Sequence, residues 1–144
     1  MELVIRDLQE LEDEAKRLIE TLVPQGARAT LITLSGELGA GKTALTKALA
    51  KALGVEEVIT SPTFVLMKIY ALTGQAFKRL VHIDAYRLER GVDLSALGFD
   101  ELMQDAKSLV VLEWPERVRD TLAKSDFAIS LKVLSDGGRK MTYA

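Results

Sequence analysis

The sequence predicts an α/β fold with three layers, in which helices cover both faces of a mostly parallel central sheet that carries antiparallel additions. Residues 108–112 are continuously apolar, which is typical of a parallel strand buried on both faces. Residues 29–34 form another apolar, β-branched run, and the strong helix formers at residues 42–53 follow it after a glycine-rich turn. A strand and a helix in such close succession favour the α/β class.

The remaining elements follow from the spacing of apolar residues and from the positions of glycine and proline. Residues 8–23 place apolar side chains at helical spacing, and Pro24 and Gly26 end that helix. The other predicted elements, in chain order, are strands at 3–5, 64–72 and 77–84, a helix at 115–122 and a strand at 127–134.

Length and composition limit the class of protein. With 144 residues, the chain predicts one domain over residues 1–144. Hydrophobic residues make up 48 % and charged residues 28 %, as in a globular protein, and no apolar run approaches the roughly 18 residues of a membrane span. The acidic N-terminal stretch is unlike an export signal, so we expect a cytoplasmic protein without a membrane partner.

Charge and metal-binding residue types limit the ligands. The chain has no cysteine and one histidine, so we expect any metal to be held by oxygen atoms. A formal net charge of −2 gives no broad attraction to nucleic acid, because phosphate binding requires clustered Lys and Arg. If the function involves RNA, we expect partner proteins to hold it.

The turn between the 29–34 strand and the next helix matches a phosphate-binding loop, G-x-x-x-x-G-K-[ST]. Its glycines allow the backbone N–H groups to point at phosphate oxygens, and the amino end of the helix attracts the same anion. We therefore predict a P-loop NTPase that binds ATP, with Lys42 reaching the β- and γ-phosphates and the Thr43 hydroxyl coordinating Mg²⁺. The alternative is an ordinary glycine-rich turn that caps a helix. The predicted nucleotide-binding residues here are Gly36, Glu37, Leu38, Gly39, Ala40, Gly41, Lys42, Thr43 and Ala44.

Two acidic residues are candidates for the metal and the attacking water. Asp84 ends the apolar run LVHID, and Glu113 ends the run SLVVLE. The carboxyl ends of such strands border the ligand crevice of an open α/β sheet. We predict that Asp84 binds Mg²⁺, directly or through water, and that Glu113 completes the metal shell or positions the water, so Lys42, Asp84 and Glu113 form the catalytic set. Either acid could instead be a solvated residue that closes a strand.

Other residues near these motifs have two possible roles each. Ser61 and Thr63 either belong to a switch that senses the γ-phosphate or only begin a strand. His82 is predicted to be structural. Tyr86 and Arg87 could approach the nucleotide or pin a loop, and Trp114 could cover the site or only pack. The residues alone leave these alternatives open.

Four segments in order resemble the TsaE family, formerly called YjeE, of small ATPases in bacterial tRNA threonylcarbamoyladenosine biosynthesis. The segments are GELGAGKT from Gly36, SPTF from Ser61, HIDAYRL from His82 and LEWPERV from Leu112. Gly138 and Arg139 resemble the family's Gly-Arg turn more weakly.

The resemblance implies a Mg²⁺ and ATP site that includes Asp84 and Glu113, with Trp114 near it and the Ser61–Thr63 segment acting as a switch. It also implies two protein partners, TsaB and TsaD, with tRNA contacted indirectly through the complex, and slow hydrolysis by the isolated chain.

Two rival functions remain at this stage. A small-molecule kinase would use the same loop, but residues 87–107 offer a short segment with few basic residues for both a lid and an acceptor pocket. A nucleotide-gated interaction module would bind partners according to the bound nucleotide, with turnover incidental. GTP is a weaker candidate than ATP, because the sequence lacks the N/T-K-x-D element that reads guanine.

Overall fold

A mixed seven-stranded sheet organises the chain in the computed structural model, which describes residues 1–57, 67–88, 90–122 and 124–143. The strand order across the sheet is β1-β7-β6-β2-β5-β4-β3. In chain order the elements are β1 (Glu2–Ile5), α1 (Leu8–Thr21), β2 (Thr30–Ser35), α2 (Lys42–Ala52), β3 (Met67–Ala71), β4 (Arg79–Asp84), α3 (Gly91–Ser95), α4 (Phe99–Leu102), β5 (Ser108–Glu113), the 3₁₀ turn Pro115–Arg117, β6 (Phe127–Val133) and β7 (Arg139–Tyr143).

The centre of the sheet is parallel. Strand β2 pairs in parallel with β5 on one side and β6 on the other, and β4 pairs in parallel with β5. Strands β3 and β7 pair antiparallel with β4 and β6, and β1 pairs antiparallel with β7. The predicted parallel sheet with antiparallel additions is confirmed.

Two apolar clusters, one on each face of the sheet, give the three layers. Along β5, Leu109 and Val111 belong to the cluster beneath α1 and α2, whereas Val110 and Leu112 belong to the opposite cluster. That second cluster is covered by residues of α3, α4 and the 3₁₀ turn region. Because all six residues of β5 are buried, their continuous apolar run reflects helices on both faces.

Several element boundaries differ from the sequence prediction. Helix α1 ends at Thr21 rather than residue 23, because the residue before Pro24 is disfavoured in helical geometry and Leu22 is already extended. Strand β4 begins at Arg79 rather than residue 77, since Phe77 turns into the core beside α1 and α2. The predicted strand at 64–72 is described only from Met67, where β3 begins.

The predicted helix at 115–122 is wrong. The structure has a single 3₁₀ turn at Pro115–Arg117, followed by Val118 in a non-helical conformation with φ of −129°. Val118 is buried in the second cluster, so its packing diverts the chain away from a longer helix. The crossover between β4 and β5 contains α3 and α4, two short helices that the sequence pattern did not predict.

None of the helices in the described part of the chain is long and apolar enough to cross a membrane.

Asp126 holds the start of β2, at the end of this central strand that lies opposite the phosphate loop. Its carboxylate accepts hydrogen bonds from the backbone N–H of Leu31 at 2.8 Å, from Gln25 and from Arg28. Burial favours the neutral acid, but these three donors outweigh that effect, so the pKa of Asp126 lies below its ordinary value. The charged carboxylate therefore stabilises the fold.

We predict that Asp126→Ala lowers the free energy of unfolding by about 1–3 kcal/mol at neutral pH, because the buried Leu31 N–H loses its side-chain acceptor. A lowered native pKa means that this stabilisation is complete above the unfolded-state pKa of about 3.9 and is lost as the pH falls through the native value. Urea unfolding of both proteins should therefore show the difference shrinking below about pH 4. A constant difference down to about pH 2.5 contradicts the prediction, and the exposed Glu20→Ala serves as the control.

Candidate functional site

The loop between β2 and α2 has a backbone that only glycine accommodates at its first position. Gly36 has a φ of +145°, and a Cβ atom built there would lie 2.5 Å from the carbonyl oxygen of Leu131 on β6. Gly41, at the amino end of α2, has a φ of +108°. The loop therefore passes close against β6 before it turns into the helix, which is the local geometry of a phosphate-binding loop.

Lys42 is folded back over this loop. Its ammonium donates to the carbonyl oxygens of Gly36 at 2.5 Å and Glu37 at 2.9 Å, and it lies 4.2 Å from the centre of the Trp114 ring. Only 5 % of Lys42 is exposed. Burial lowers the pKa of Lys42, against the opposing effect of nearby carboxylates, Glu113 first among them.

The strand register brings Asp84 and Glu113 side by side. The two residues are partners at the carboxyl ends of the parallel strands β4 and β5, and both point to the face that carries α2. The Thr43 hydroxyl donates to Oε1 of Glu113 at 3.3 Å, and the backbone N–H of Tyr86 donates to Asp84 at 3.0 Å. The structure thus brings together Thr43, Asp84 and Glu113, as the sequence predicted; their functional roles stay predictions.

His82 is closer to the site than the sequence analysis recognised. It is fully buried, and its Nε2 lies 2.5 Å from Oε2 of Glu113. The signal was present in the sequence, because a residue two positions before Asp84 on a strand shares its face. What the sequence did not give is the neighbouring strand that supplies Glu113.

A row of aromatic and cationic groups continues outward from Lys42. The rings of Trp114 and Tyr86 have centroids 4.9 Å apart, and the guanidinium of Arg117 lies 5.3 Å from the Tyr86 ring. Trp114 has a φ of +63°, the one positive value at a residue other than glycine among the described residues. Trp114 lies with its ring against Lys42 and also packs against the second apolar cluster, so both roles considered for it remain predictions.

Lys42, Tyr86 and Trp114 border an open cavity of about 570 Å³. Its lining includes Lys42, Thr43, Asp84 and Glu113, together with Arg87 and Arg139. A smaller cavity of about 230 Å³ adjoins it between α1, the loop and β7, where Leu8, Leu11 and Ala44 contribute apolar surface. Arg139 lines both cavities, and its Nε donates to the carbonyl oxygen of Ala40 at 3.2 Å.

The remaining predicted residues divide into two groups. Leu38 and Gly39 line the larger cavity, whereas Ala40 is buried beneath the loop. Ser61 and Thr63, the predicted switch residues, lie outside the described residues.

The oxygen atoms at the mouth of the loop suit Mg²⁺. Within the described part of the chain, no group of three His, Cys, Asp or Glu side chains forms a metal site by itself. A hydroxyl from Thr43 and carboxylates from Asp84 and Glu113 instead form an incomplete set of hard oxygen donors. Mg²⁺ commonly binds one or two carboxylates and completes its shell with water and substrate phosphates, so the residues fit that ion.

Comparison with known proteins identifies the family. Residues 5–141 match the family model described as "Threonylcarbamoyl adenosine biosynthesis protein TsaE". The tRNA threonylcarbamoyladenosine biosynthesis protein TsaE of Treponema pallidum is 41 % identical over 115 residues, which cover 80 % of this chain and 82 % of that protein. The protein of the same name from Bacillus subtilis is 30 % identical over 131 residues, covering 91 % and 79 %.

Among solved structures, the crystal structure of YdiB from Bacillus subtilis superposes with a TM-score of 0.78 at 26 % sequence identity. The match covers 99 % of this chain and 83 % of YdiB. The superposition extends over the whole sheet and the loop that precedes α2. The fold is that of a P-loop NTPase. The chain belongs to the TsaE family.

Proposed function

We propose that the protein binds ATP with Mg²⁺ and hydrolyses it slowly, and that this ATPase supports tRNA threonylcarbamoyladenosine modification in the cytoplasm together with TsaB and TsaD partners. One observation carries the proposal: the Thr43 hydroxyl, at the start of α2, donates to Glu113 beside Asp84. A hydroxyl that gives its hydrogen to a carboxylate keeps its lone pairs for a cation. The start of α2 is therefore linked to Glu113 directly and lies near Asp84 through the pairing of β4 with β5, an arrangement that suits a metal-assisted phosphate site.

Phosphate binding requires a change at Lys42. Its ammonium now donates to two carbonyl oxygens of its own loop, and a bound triphosphate would offer charged oxygens in their place. The carbonyl oxygens are neutral dipoles, whereas phosphate oxygens carry charge opposite to that of the ammonium, so Coulomb attraction favours the exchange. The amino end of α2 and the loop N–H groups add attraction for the same phosphates.

Asp84 and Glu113 would have different roles in metal binding and hydrolysis. Asp84 and Thr43 would hold Mg²⁺, with Glu113 completing the metal shell or positioning the water, and the ion would supply positive charge to the β- and γ-phosphate oxygens. Glu113 is 2 % exposed, and its Oε1 faces Thr43. A buried carboxylate next to that hydroxyl can orient a water molecule and accept its proton. Hydrolysis rather than simple binding follows from this third group.

The smaller cavity supports a nucleotide over inorganic phosphate. It adjoins the phosphate cavity at Gly41, Ala44 and Arg139, and Leu8 and Leu11 give it an apolar wall. A flat base can stack on such a wall while its phosphates lie on the loop. ATP is the favoured nucleotide because the sequence has no guanine-reading element.

We predict that Asp84→Ala and Glu113→Ala each lower the rate of ATP hydrolysis by about 100-fold or more. A general base such as Glu113 typically contributes about 10²–10⁴, and loss of Asp84 removes a ligand of the metal whose charge stabilises the transition state. Phosphate release under single-turnover conditions measures the chemical step directly. Glu101→Ala, an exposed acid on α4, is the matched control and should keep the unmutated rate. Unmutated rates in both Asp84→Ala and Glu113→Ala would remove this assignment.

Trp114 is the sole tryptophan, so its emission reports on Lys42. We predict that ADP or ATP changes this emission, because phosphate draws the ammonium away from the indole face. Adenosine, which has no phosphate, should leave the emission unchanged. In Lys42→Met the emission should already differ without nucleotide and respond weakly to it. A titration of Lys42→Met identical to that of the unmutated protein contradicts the predicted movement.

The pathway role has a separate test. We predict that the chain, reconstituted with TsaB, TsaD and substrate tRNA, raises the yield of threonylcarbamoyladenosine in digested tRNA, and that Lys42→Ala removes the gain. Equal yields with both proteins would eliminate the pathway role while leaving the ATPase intact. Full modification with Glu113→Ala would instead favour a nucleotide-gated interaction module.

A further inference from the structure

Strand β4 carries a fully buried histidine beneath the proposed metal site. His82 shares the α2 face of the sheet with Leu80 and Asp84, since alternate residues of a strand point the same way. Its Nε2 is 2.5 Å from Oε2 of Glu113 on the adjacent strand. Neither the phosphate loop nor the proposed binding of Mg²⁺ uses this ring directly.

The contacts of Glu113 indicate what the His82 ring contributes, which is a partner for a buried carboxylate oxygen. Oε1 of Glu113 accepts from the Thr43 hydroxyl at 3.3 Å, and Oε2 faces His82. Glu113 is 2 % exposed, and a carboxylate buried to this extent is costly unless donors satisfy it. The carboxylate is thus held between two elements, α2 through Thr43 and β4 through His82.

The second ring nitrogen of His82 makes no hydrogen bond within the described part of the chain, which indicates that the contact with Glu113 is the polar role of the ring. Nδ1 is buried and has no hydrogen-bond partner among the described residues. Leaving a buried polar atom unpaired costs free energy, and Leu80, two positions earlier on the same face of β4, shows that an apolar side chain fits this layer. A residue chosen only for packing would avoid that cost, so the contact at Nε2 distinguishes His82 from a core filler.

We infer that His82 is a positioning residue, whose Nε2–H fixes Oε2 of Glu113 and thereby leaves Oε1 directed at Thr43 and the metal-bound side of the site. The inference rests on the proposed function of Glu113. Groups that orient metal-site ligands commonly change metal affinity or activity by about 10–100-fold when they are removed. The effect of His82 should therefore appear in the response to Mg²⁺ and in kcat.

The experiment compares side chains that differ in where they present a donor. His82→Gln carries its amide nitrogen at about the reach of Nε2, whereas His82→Asn ends near the position of Nδ1 and cannot reach Oε2; His82→Leu removes the donor. Val81→Ala, buried on the opposite face of the same strand, is the matched control for lost stability. The Gln and Asn variants keep the test decisive if His82→Leu does not fold.

Two readouts are measured for each variant. The first, which needs no turnover, is the Mg²⁺ concentration that half-saturates binding of a non-hydrolysable ATP analogue, followed by Trp114 emission or calorimetry. The second is kcat and KM for ATP hydrolysis. We expect His82→Asn and His82→Leu to raise the Mg²⁺ requirement and to lower kcat by about 10–100-fold, with nucleotide affinity in the absence of Mg²⁺ unchanged. His82→Gln should recover most of both losses.

A double variant shows whether His82 acts through Glu113. Adding His82→Leu or His82→Asn to Glu113→Ala should cause no further loss, because the group that His82 positions is already gone. Losses that add, losses equal to those of Val81→Ala, or no difference between His82→Gln and His82→Asn would each overturn the inference. If Glu113→Ala itself hydrolyses ATP at the unmutated rate, the proposed function of Glu113 fails; if only the His82 variants are unaffected, the inference fails alone.

Discussion

The parallel pairing of β2, β5 and β4 is the constraint on which the site depends. Parallel strands end at the same edge of a sheet, so the loop after β2, Glu113 at the end of β5 and Asp84 at the end of β4 meet there. The pairing places Leu34 beside Glu113 and Glu113 beside Asp84. A slip of one residue in β5 would turn Glu113 toward the opposite apolar cluster and move Leu112 to the site. Burial of both faces of β5 opposes such a slip.

Much of this arrangement could be predicted from local sequence. The glycine-lysine-threonine pattern specifies a turn and a helix start, and Asp84 and Glu113 each close an apolar run that predicts a strand. These are short-range signals, since each depends on residues within one element. The structure brings the loop, Asp84 and Glu113 together because β5 lies between β2 and β4.

Features that depend on distant contacts were not predictable in this way. The contact between His82 and Glu113 requires that β4 lie beside β5, which the spacing along the chain does not specify. The 3₁₀ turn after β5 is short because Val118 packs into the core, although the proline before it is equally compatible with a longer helix. The positive φ of Trp114 and the contacts of its ring with Lys42 and Tyr86 likewise have no local signal in the sequence.

The position of Lys42 has a consequence for how tightly any anion can bind. The ammonium donates to the carbonyl oxygens of Gly36 and Glu37 and lies against the indole of Trp114. An incoming anion must therefore displace internal acceptors, and the observed affinity is the difference between two bonded states of the same lysine. The affinity of the loop for an anion can be raised by strengthening the contacts to the anion or by weakening the hydrogen bonds from Lys42 to Gly36 and Glu37. The carbonyl oxygens of Gly36 and Glu37 compete with the anion for the lysine.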